Sequence, residues 1–351
     1  MSYAAFMELA LYHPDSGYYS AAGRRSGARG DFITSPDLGS LFGEALSLDF
    51  VHKWQRMGAP ASVDLVEAGA GDGRLARDVL DAAAPFAAFY DSIRLHLVER
   101  SPAARTAHKD MLARHEAKLV SSSDRLPERF AGILFANELL DAMPVHVVVM
   151  REHGLREVLI DVQRGRLVEI EGEPSTPLIL EYLERRGGQL EAGWRTEVNL
   201  AALEFLRRVS ASLARGFVLL VDYGYESESL SARWHSAGTL RSYTRHVAHM
   251  SGEGGAGAPW LFAPGSCDMT SHVDFTALRA AAADLGLRTV QSCDQMHYLL
   301  GLGVVERNAG AGRTAGEIAR RLALKTLLLP EGFGATHKVL ILARDAGATL
   351  G

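Results

Sequence analysis

Residues 66–78, Val66-Glu67-Ala68-Gly69-Ala70-Gly71-Asp72-Gly73-Arg74-Leu75-Ala76-Arg77-Asp78, carry an acidic strand end into a glycine-dense turn and then an amphipathic helix. This is how a Rossmann-like sheet opens a nucleotide site. Gly69, Gly71 and Gly73 let the backbone turn tightly and approach a ligand with no Cβ in the way. The spacing separates one ligand class from another. A dinucleotide fingerprint needs a glycine three residues after Gly71, where this chain has Arg74, and Glu67 stands two residues before the first glycine. A carboxylate beside the turn suits a cationic ligand better than a pyrophosphate. S-adenosylmethionine carries a sulfonium and an ammonium and no phosphate, so E-x-G-x-G-x-G reads as a methyl-donor site. The same turn would also serve any strand-to-helix junction in an α/β protein.

The other half of such a site is expected one β-α unit later, as an acid at the end of the next strand that accepts hydrogen bonds from both ribose hydroxyls. Glu99 stands there, closing Ile93-Arg94-Leu95-His96-Leu97-Val98-Glu99, which alternates and then runs apolar like a buried strand. Ser101 and Pro102 open the following helix, because proline at the first helical position costs no backbone donor. A solvated strand-end glutamate is the plainer alternative.

With 351 residues and 47% hydrophobic content the chain can bury a large core. It reads as one large α/β domain elaborated by insertions. A net charge of −5 and the lack of any dense Lys/Arg run leave no electrostatic footprint for nucleic acid. Cys267 and Cys293 are too few for a disulfide framework and match no zinc spacing, and no other metal constellation is visible. The N-terminus lacks a basic n-region, and no 18 uncharged apolar residues run together. No signal peptide, transit peptide or membrane span is expected, and a reducing, cytoplasmic setting is.

Segments follow from the punctuation. Residues 1–60 read as an N-terminal lead, with a helix over 3–12 ending before Pro14, a glycine-rich stretch 23–30, and a helix over about 37–58. The β-α rhythm starts at Val63, with strands near 63–68, 93–99, 118–121 and 131–136, so 61–144 is the cofactor-binding half of a parallel core. Residues 145–214 form an insertion: a meander over 145–172 broken at Arg164-Gly165, then polar helical segments. Residues 215–224 return to a core strand ending at Asp222, and 225–270 are a second, irregular insertion. The core closes over 271–351, with Ser271-x-x-Asp274 as a capping box for a helix over 273–285, strands near 287–292 and 337–344, and a helix over about 313–328. The periodicity matches a seven-stranded Rossmann-like sheet with an accessory lobe built from the two insertions.

Strand 131–136 empties into Asn137-Glu138-Leu139-Leu140-Asp141-Ala142-Met143-Pro144. In a doubly wound sheet the crevice lies outside the carboxyl ends of the strands, which places Asn137, Glu138 and Asp141 where donor and acceptor meet. Methyl transfer is an in-line attack, and the protein's main task is positioning. Carboxylates suggest a cationic acceptor, since a guanidinium is gripped bidentately. In the alternative, Asp141 caps a turn and Glu138 is solvated. His246 and His272 are candidates for accepting a proton or shaping the acceptor pocket, although a lone histidine is commonly a structural hydrogen-bonder.

Taken in order, Tyr12-His13-Pro14-x-x-Gly17-Tyr18-Tyr19, Gly30-Asp31-Phe32-Ile33-Thr34-Ser35-Pro36, the Glu67/Gly69/Gly71/Gly73 loop, Asn137-Glu138-Leu139-Leu140-Asp141-Ala142-x-Pro144-Val145, Asp222-Tyr223-Gly224, Gly238-Thr239-Leu240-Arg241-x-Tyr243 and Ser271-His272-Val273-Asp274-Phe275 resemble the MidA family along nearly the whole chain. The resemblance implies a class I S-adenosylmethionine-dependent methyltransferase. The family's mitochondrial members symmetrically dimethylate an arginine of a respiratory complex I subunit, which implies a protein acceptor of that kind. It raises Glu67, Gly69, Gly71, Gly73 and Glu99 to cofactor residues and makes Gly30 to Pro36, with Thr34, Ser35 and Pro36, a lid over the cofactor, but does not by itself assign a base; the reading of the residues puts Asn137 beside the cofactor and Asn137, Glu138, Asp141 and His272 on the catalytic side. Three positions depart from the family pattern: Ala70 for a frequent proline, expected to loosen cofactor packing, Ser271 for alanine, and His337 for phenylalanine. With no presequence visible, the chain looks like a bacterial relative, with room for a different acceptor. Methylation of a small molecule or another side chain, and a cofactor-binding assembly chaperone with little turnover, remain the rival readings. An apolar face on 145–214 would be compatible with a homodimer.

Overall fold

The computed structural model describes residues 1–20, 34–187, 190–244, 247–250, 258–308 and 314–346. The chain divides into two compact units. The first comprises Thr34–Leu139, Arg208–Asp222 and Ala282–Gly351; the second comprises Met1–Ile33, Leu140–Arg207 and Tyr223–Ala281. Residues 34–60, expected with the lead segment, thus belong with the sheet, and 271–281, expected with the sheet, belong with the inserted stretches.

The sheet of the first unit runs Arg288–Asp294, His337–Arg344, Leu213–Tyr225, Phe130–Asn137, Val63–Ala68, Ile93–Val98, Leu119–Ser123 from edge to edge. The five strands from Leu213–Tyr225 to Leu119–Ser123 pair in parallel, and Arg288–Asp294 runs antiparallel to His337–Arg344. Sequence order reverses between Val63–Ala68 and Phe130–Asn137. The carboxyl ends of these two strands therefore border the crevice in which doubly wound sheets hold ligands. Parallel strands are covered on both faces, which is why 63–68, 130–137 and 216–222 are nearly continuous apolar runs rather than alternating ones. The helix Leu41–Arg56 supplies part of that cover, with Phe50 tilted 5.2 Å from Phe135.

The helix expected over 37–58 is two elements. Ser35–Leu38 is a 3-10 turn, and Leu41–Arg56 follows Gly39, whose φ of 114° interrupts helical geometry. The strand boundaries, by contrast, follow the apolar runs closely. Where three strands pair side by side, Asp64, Gly132 and Gly216 share one register. A Cβ on Gly132 would lie 1.9 Å from the Asp64 carbonyl oxygen, and one on Gly216 would lie 1.8 Å from that of Gly132.

In the second unit the helix Tyr3–Tyr12 packs against the meander, with Tyr3, Phe6, Met7 and Leu11 buried among Val147, Val149 and Ile160. The meander strands His146–Arg151, Gly154–Gln163 and Arg166–Gly172 turn at Arg164-Gly165, both at positive φ as a tight hairpin requires. A fourth strand, Arg195–Val198, joins this sheet where polar helix was expected; four residues are too few to display a period. The stretch 225–270 is not irregular throughout. Val247–Met250, Arg241–Thr244 and Asp268–Thr270 form a three-stranded antiparallel sheet whose pieces are likewise too short to announce themselves. The capping box also moves. Asp274, not Ser271, caps the helix Phe275–Asp284, accepting a hydrogen bond from the Ala277 N–H at 3.0 Å. Val273 and Asp274 are held extended by parallel pairing with Gly224 and Tyr225, so the helix cannot begin earlier. Among the described residues no helix is long and apolar enough to cross a membrane.

Gly132→Ala is expected to destabilise the protein by about 1–3 kcal/mol, because the added methyl meets backbone that cannot move without breaking sheet pairing. Thermal unfolding of the variant beside the parent protein measures this; an unchanged midpoint would mean the strands are farther apart than described.

Candidate active site

The turn after Val63–Ala68 is built from backbone only glycine adopts cheaply. Gly69, Gly71 and Gly73 have φ of 73°, 53° and 87°, and Gly73 caps the helix Arg74–Ala83 from the left-handed region. The loop is pinned from the neighbouring strand. Gly69 and Ala70 both donate to the Val98 carbonyl, at 2.9 and 3.1 Å. Ala70 is buried, and the residue standing for the family's frequent proline adds a hydrogen bond that proline lacks the donor to make. Glu99 Oε2 accepts from the Gly71 N–H at 2.9 Å and Oε1 from the Ser101 N–H at 2.8 Å. Each carboxylate oxygen retains a second lone pair for a hydroxyl. A Cβ on Gly71 would enter open space.

His108 completes the loop and was not anticipated. Its fully buried ring donates from Nε2 to the Gly71 carbonyl at 2.9 Å and accepts at Nδ1 from the Ser122 hydroxyl, also at 2.9 Å. Since a carbonyl can only accept, the tautomer follows. No pattern in the sequence marked this residue, because its partners lie 37 and 14 positions away.

Glu67 and Asn137 end adjacent strands beside this turn. Glu67 Oε2 and Asn137 Oδ1 are buried acceptors without a hydrogen-bond partner. Burial pushes the Glu67 carboxyl well above the usual carboxylate range. The Ala76 N–H opposes that shift, and the nearby acids Asp72, Glu99 and Asp78 reinforce it. Unsatisfied buried acceptors are uncommon in folded proteins and call for a ligand or water. Two of them, with a glycine turn open beside them, fit a ligand rich in donors and carrying positive charge.

Asn137 also donates from Nδ2 to Glu138 Oε1 at 3.0 Å. Glu138 sits at φ 51°, a left-handed conformation costing a non-glycine residue about 1–2 kcal/mol. Its N–H is bound to the Val221 carbonyl, and the next N–H, of Leu139, to buried Asp222 Oδ2 at 3.1 Å, which together hold the kink. The Glu138 Oε1 atom also accepts from the Ser35 N–H at 3.1 Å and lies 3.7 Å from His337 Nε2. The residue replacing the family's phenylalanine thus brings an imidazole to this carboxylate. Thr34 precedes the 3-10 turn Ser35–Leu38, and Asp37 Oδ2 accepts from both the N–H and the hydroxyl of Thr34. Asp37 Oδ1 binds Arg74 at 2.8 Å, tying this segment to the helix after the glycine turn. Buried Gln295, also unforeseen, faces the Ser35 hydroxyl at 3.4 Å. Gly30 lies outside the described residues, as does His246.

The remaining candidates belong to the second unit. Asp141, three residues after Glu138, is buried, and its carbonyl accepts from the Ser271 N–H at 2.9 Å. The adjoining Ala142 carbonyl accepts from the Tyr12 hydroxyl, and Tyr12 stacks on Tyr19 at 5.5 Å. His272 is packed against Tyr223, Tyr225 and His235 at ring distances of 5.5, 5.3 and 5.6 Å. Burial, with Arg241 and His235 nearby, pushes its pKa down to about 3, so the ring is neutral at physiological pH.

Two variants test the loop. The folded Glu67 carboxyl keeps its proton to higher pH than the unfolded chain's, so its contribution to stability is present below the ordinary value of 4.5 and lost as pH rises through the folded value. Glu67→Gln is therefore expected to melt higher than the parent protein at neutral pH, without that pH slope, while binding S-adenosylmethionine at least about tenfold more weakly, a loss of ~1.4 kcal/mol. Calorimetric titration and melting curves read both effects. Gly71→Ala should fold, at a cost of about 1–2 kcal/mol for left-handed alanine, but lose affinity in the same titration.

Comparison with known proteins agrees with this geometry. Residues 45–293 match Methyltransf_28, a family described as S-adenosyl-L-methionine-dependent methyltransferases. A mitochondrial protein arginine methyltransferase NDUFAF7 homolog of Drosophila melanogaster is 30% identical, over 93% of this chain and 74% of its own length. The NDUFAF7 enzyme of Danio rerio is 28% identical, over 88% and 74%. A COG1565 superfamily protein from Burkholderia thailandensis, solved with S-adenosyl-homocysteine bound, superposes with a TM-score of 0.88 at 28% identity, covering all of this chain and 89% of that one. A native crystal structure of a COG1565 protein from the same organism gives 0.85 at 30% identity, with the same coverage. With a Rossmann-like sheet, a glycine turn flanked by Glu67 and Glu99, and a family match over most of its length, the chain belongs to the Methyltransf_28 (MidA/COG1565) family and is an S-adenosylmethionine-dependent methyltransferase.

Proposed function

We propose that this methyltransferase modifies arginine side chains of a protein, giving symmetric dimethylarginine on a subunit of respiratory-complex type. The observation that carries this reading is the Glu138 carboxylate, held on a strained backbone at the crevice edge with Oε1 engaged by Ser35 and Asn137. Its Oε2 takes no hydrogen bond from a described residue and is available to a guanidinium. The relatives named protein arginine methyltransferases support the same acceptor.

S-adenosylmethionine, when bound, supplies an electrophilic methyl group. In our reading Glu67 and Asn137 receive its donors, Glu99 receives ribose hydroxyls, the Gly69–Gly73 turn lets it approach, and Thr34-Ser35-Pro36 covers it. Glu138 grips the guanidinium and draws positive charge away from the attacking nitrogen. Cys267 and Cys293 are not joined in a disulfide, which fits a reducing compartment, and we place the reaction in the cytoplasm.

Incubation of the protein with methyl-labelled S-adenosylmethionine and lysate lacking its own gene, followed by hydrolysis to amino acids, is expected to place label in dimethylarginine. Glu138→Ala should reduce that label at least about thirtyfold, the equivalent of ~2 kcal/mol for a charge-assisted contact, while still binding cofactor. Label confined to small molecules would make the enzyme a small-molecule methyltransferase, and cofactor binding with no label anywhere would make it a scaffold.

A further inference from the structure

Within the second unit a group of polar atoms is buried with nothing to bind. Arg241 opens the middle strand of the three-stranded sheet. Its Nε is buried without a hydrogen-bond partner, and its guanidinium forms no ion pair with a described residue. Arg241 pairs with Thr270 across the sheet, two positions before His272, and its charge disfavours a proton on that ring. His272 Nδ1 is likewise buried and unpartnered. The hydroxyls of their chain neighbours Ser242 and Ser271 are fully buried and also without partners.

The frame around them is rigid. The His272 N–H is bound to Thr239 Oγ1, and Thr239 donates its own N–H and hydroxyl to Glu197. Tyr223, Tyr225 and His235 wall the His272 ring. Trp234, 77% exposed, stands 6.3 Å from the His235 ring and offers an aromatic surface beside the cluster. An unpaired, partly desolvated guanidinium is costly to maintain, and each orphaned donor adds to that cost. An anion would satisfy the Arg241 guanidinium and the His272 Nδ1 together. A single cation walled by aromatic rings suits one negative charge rather than a phosphate dianion.

We propose that Arg241 and His272 form a subsite for a carboxylate of the polypeptide acceptor, so that the enzyme favours target segments carrying an acidic group. This rests on the reading that the acceptor is a protein. The carboxylate can belong to an acidic side chain or to a chain terminus.

The test uses the full-length protein with labelled histidine rings. The His272 ring signal is assigned by its disappearance in His272→Asn, and shifts are followed on titration with N-acetylglutamate amide, N-acetylglycine or neutral N-acetylglutamine amide. Saturable shifts with the first probe point to a side-chain carboxylate, with the second to a terminus, and either supports the subsite if Arg241→Met weakens binding at least tenfold. Equal response to the neutral probe, no saturable shift, or unchanged binding by Arg241→Met overturns it. Because no methyl transfer is needed, failure of the arginine reading leaves this result standing. S-adenosylmethionine affinity of Arg241→Met, expected to be unchanged, separates a local effect from misfolding.

Discussion

The site depends on a short run of backbone that must be left-handed at three glycines while held from outside at each step. Val98 takes the first two N–H groups, Glu99 takes that of Gly71, and His108 holds the Gly71 carbonyl. These contacts come from the next strand, its terminal acid and the helix after it. The glycine turn has no preferred shape of its own, since freedom at φ is an entropic cost as well as a permission. Its shape is therefore a property of the second β-α unit as much as of the first.

Fitness for a cationic cofactor is obtained at the expense of stability. Glu67 and Asn137 each leave a buried oxygen unsatisfied, Glu138 sits in a strained conformation, and Glu67 is pressed toward its neutral form. Each departs from what a core position would select, and all lie at the carboxyl ends of strands where the sheet order reverses. Strain and unsatisfied groups concentrated in one crevice are the signature of a site awaiting a ligand. His337 and Ala70, which depart from the family pattern, make contacts of their own at this crevice. One adds an imidazole near Glu138, and the other adds a hydrogen bond to the loop.

Legibility followed element length. Strands of the parallel core are long, apolar and punctuated by glycine or acid, so Val63–Ala68 and His337–Arg344 were evident at their observed limits. Arg195–Val198 and Asp268–Thr270 were missed because three or four residues hold no period. Ser271 looked like a helix cap because its spacing to Asp274 is right. Pairing of Val273–Asp274 with Gly224–Tyr225 overrode that local preference.

The amino-acid order alone determined the fold class, the glycine turn, its two acids and the polar cluster after Asn137, because each is written in consecutive residues whose backbone demands are local. Tertiary structure alone decided what those groups can do. It set the tautomer of His108, the neutrality of His272, the bond from Ser35 to Glu138 and the unpaired state of Arg241. All four depend on neighbours brought from distant parts of the chain. Burial and electrostatic environment are sums over such neighbours, so no local pattern encodes them.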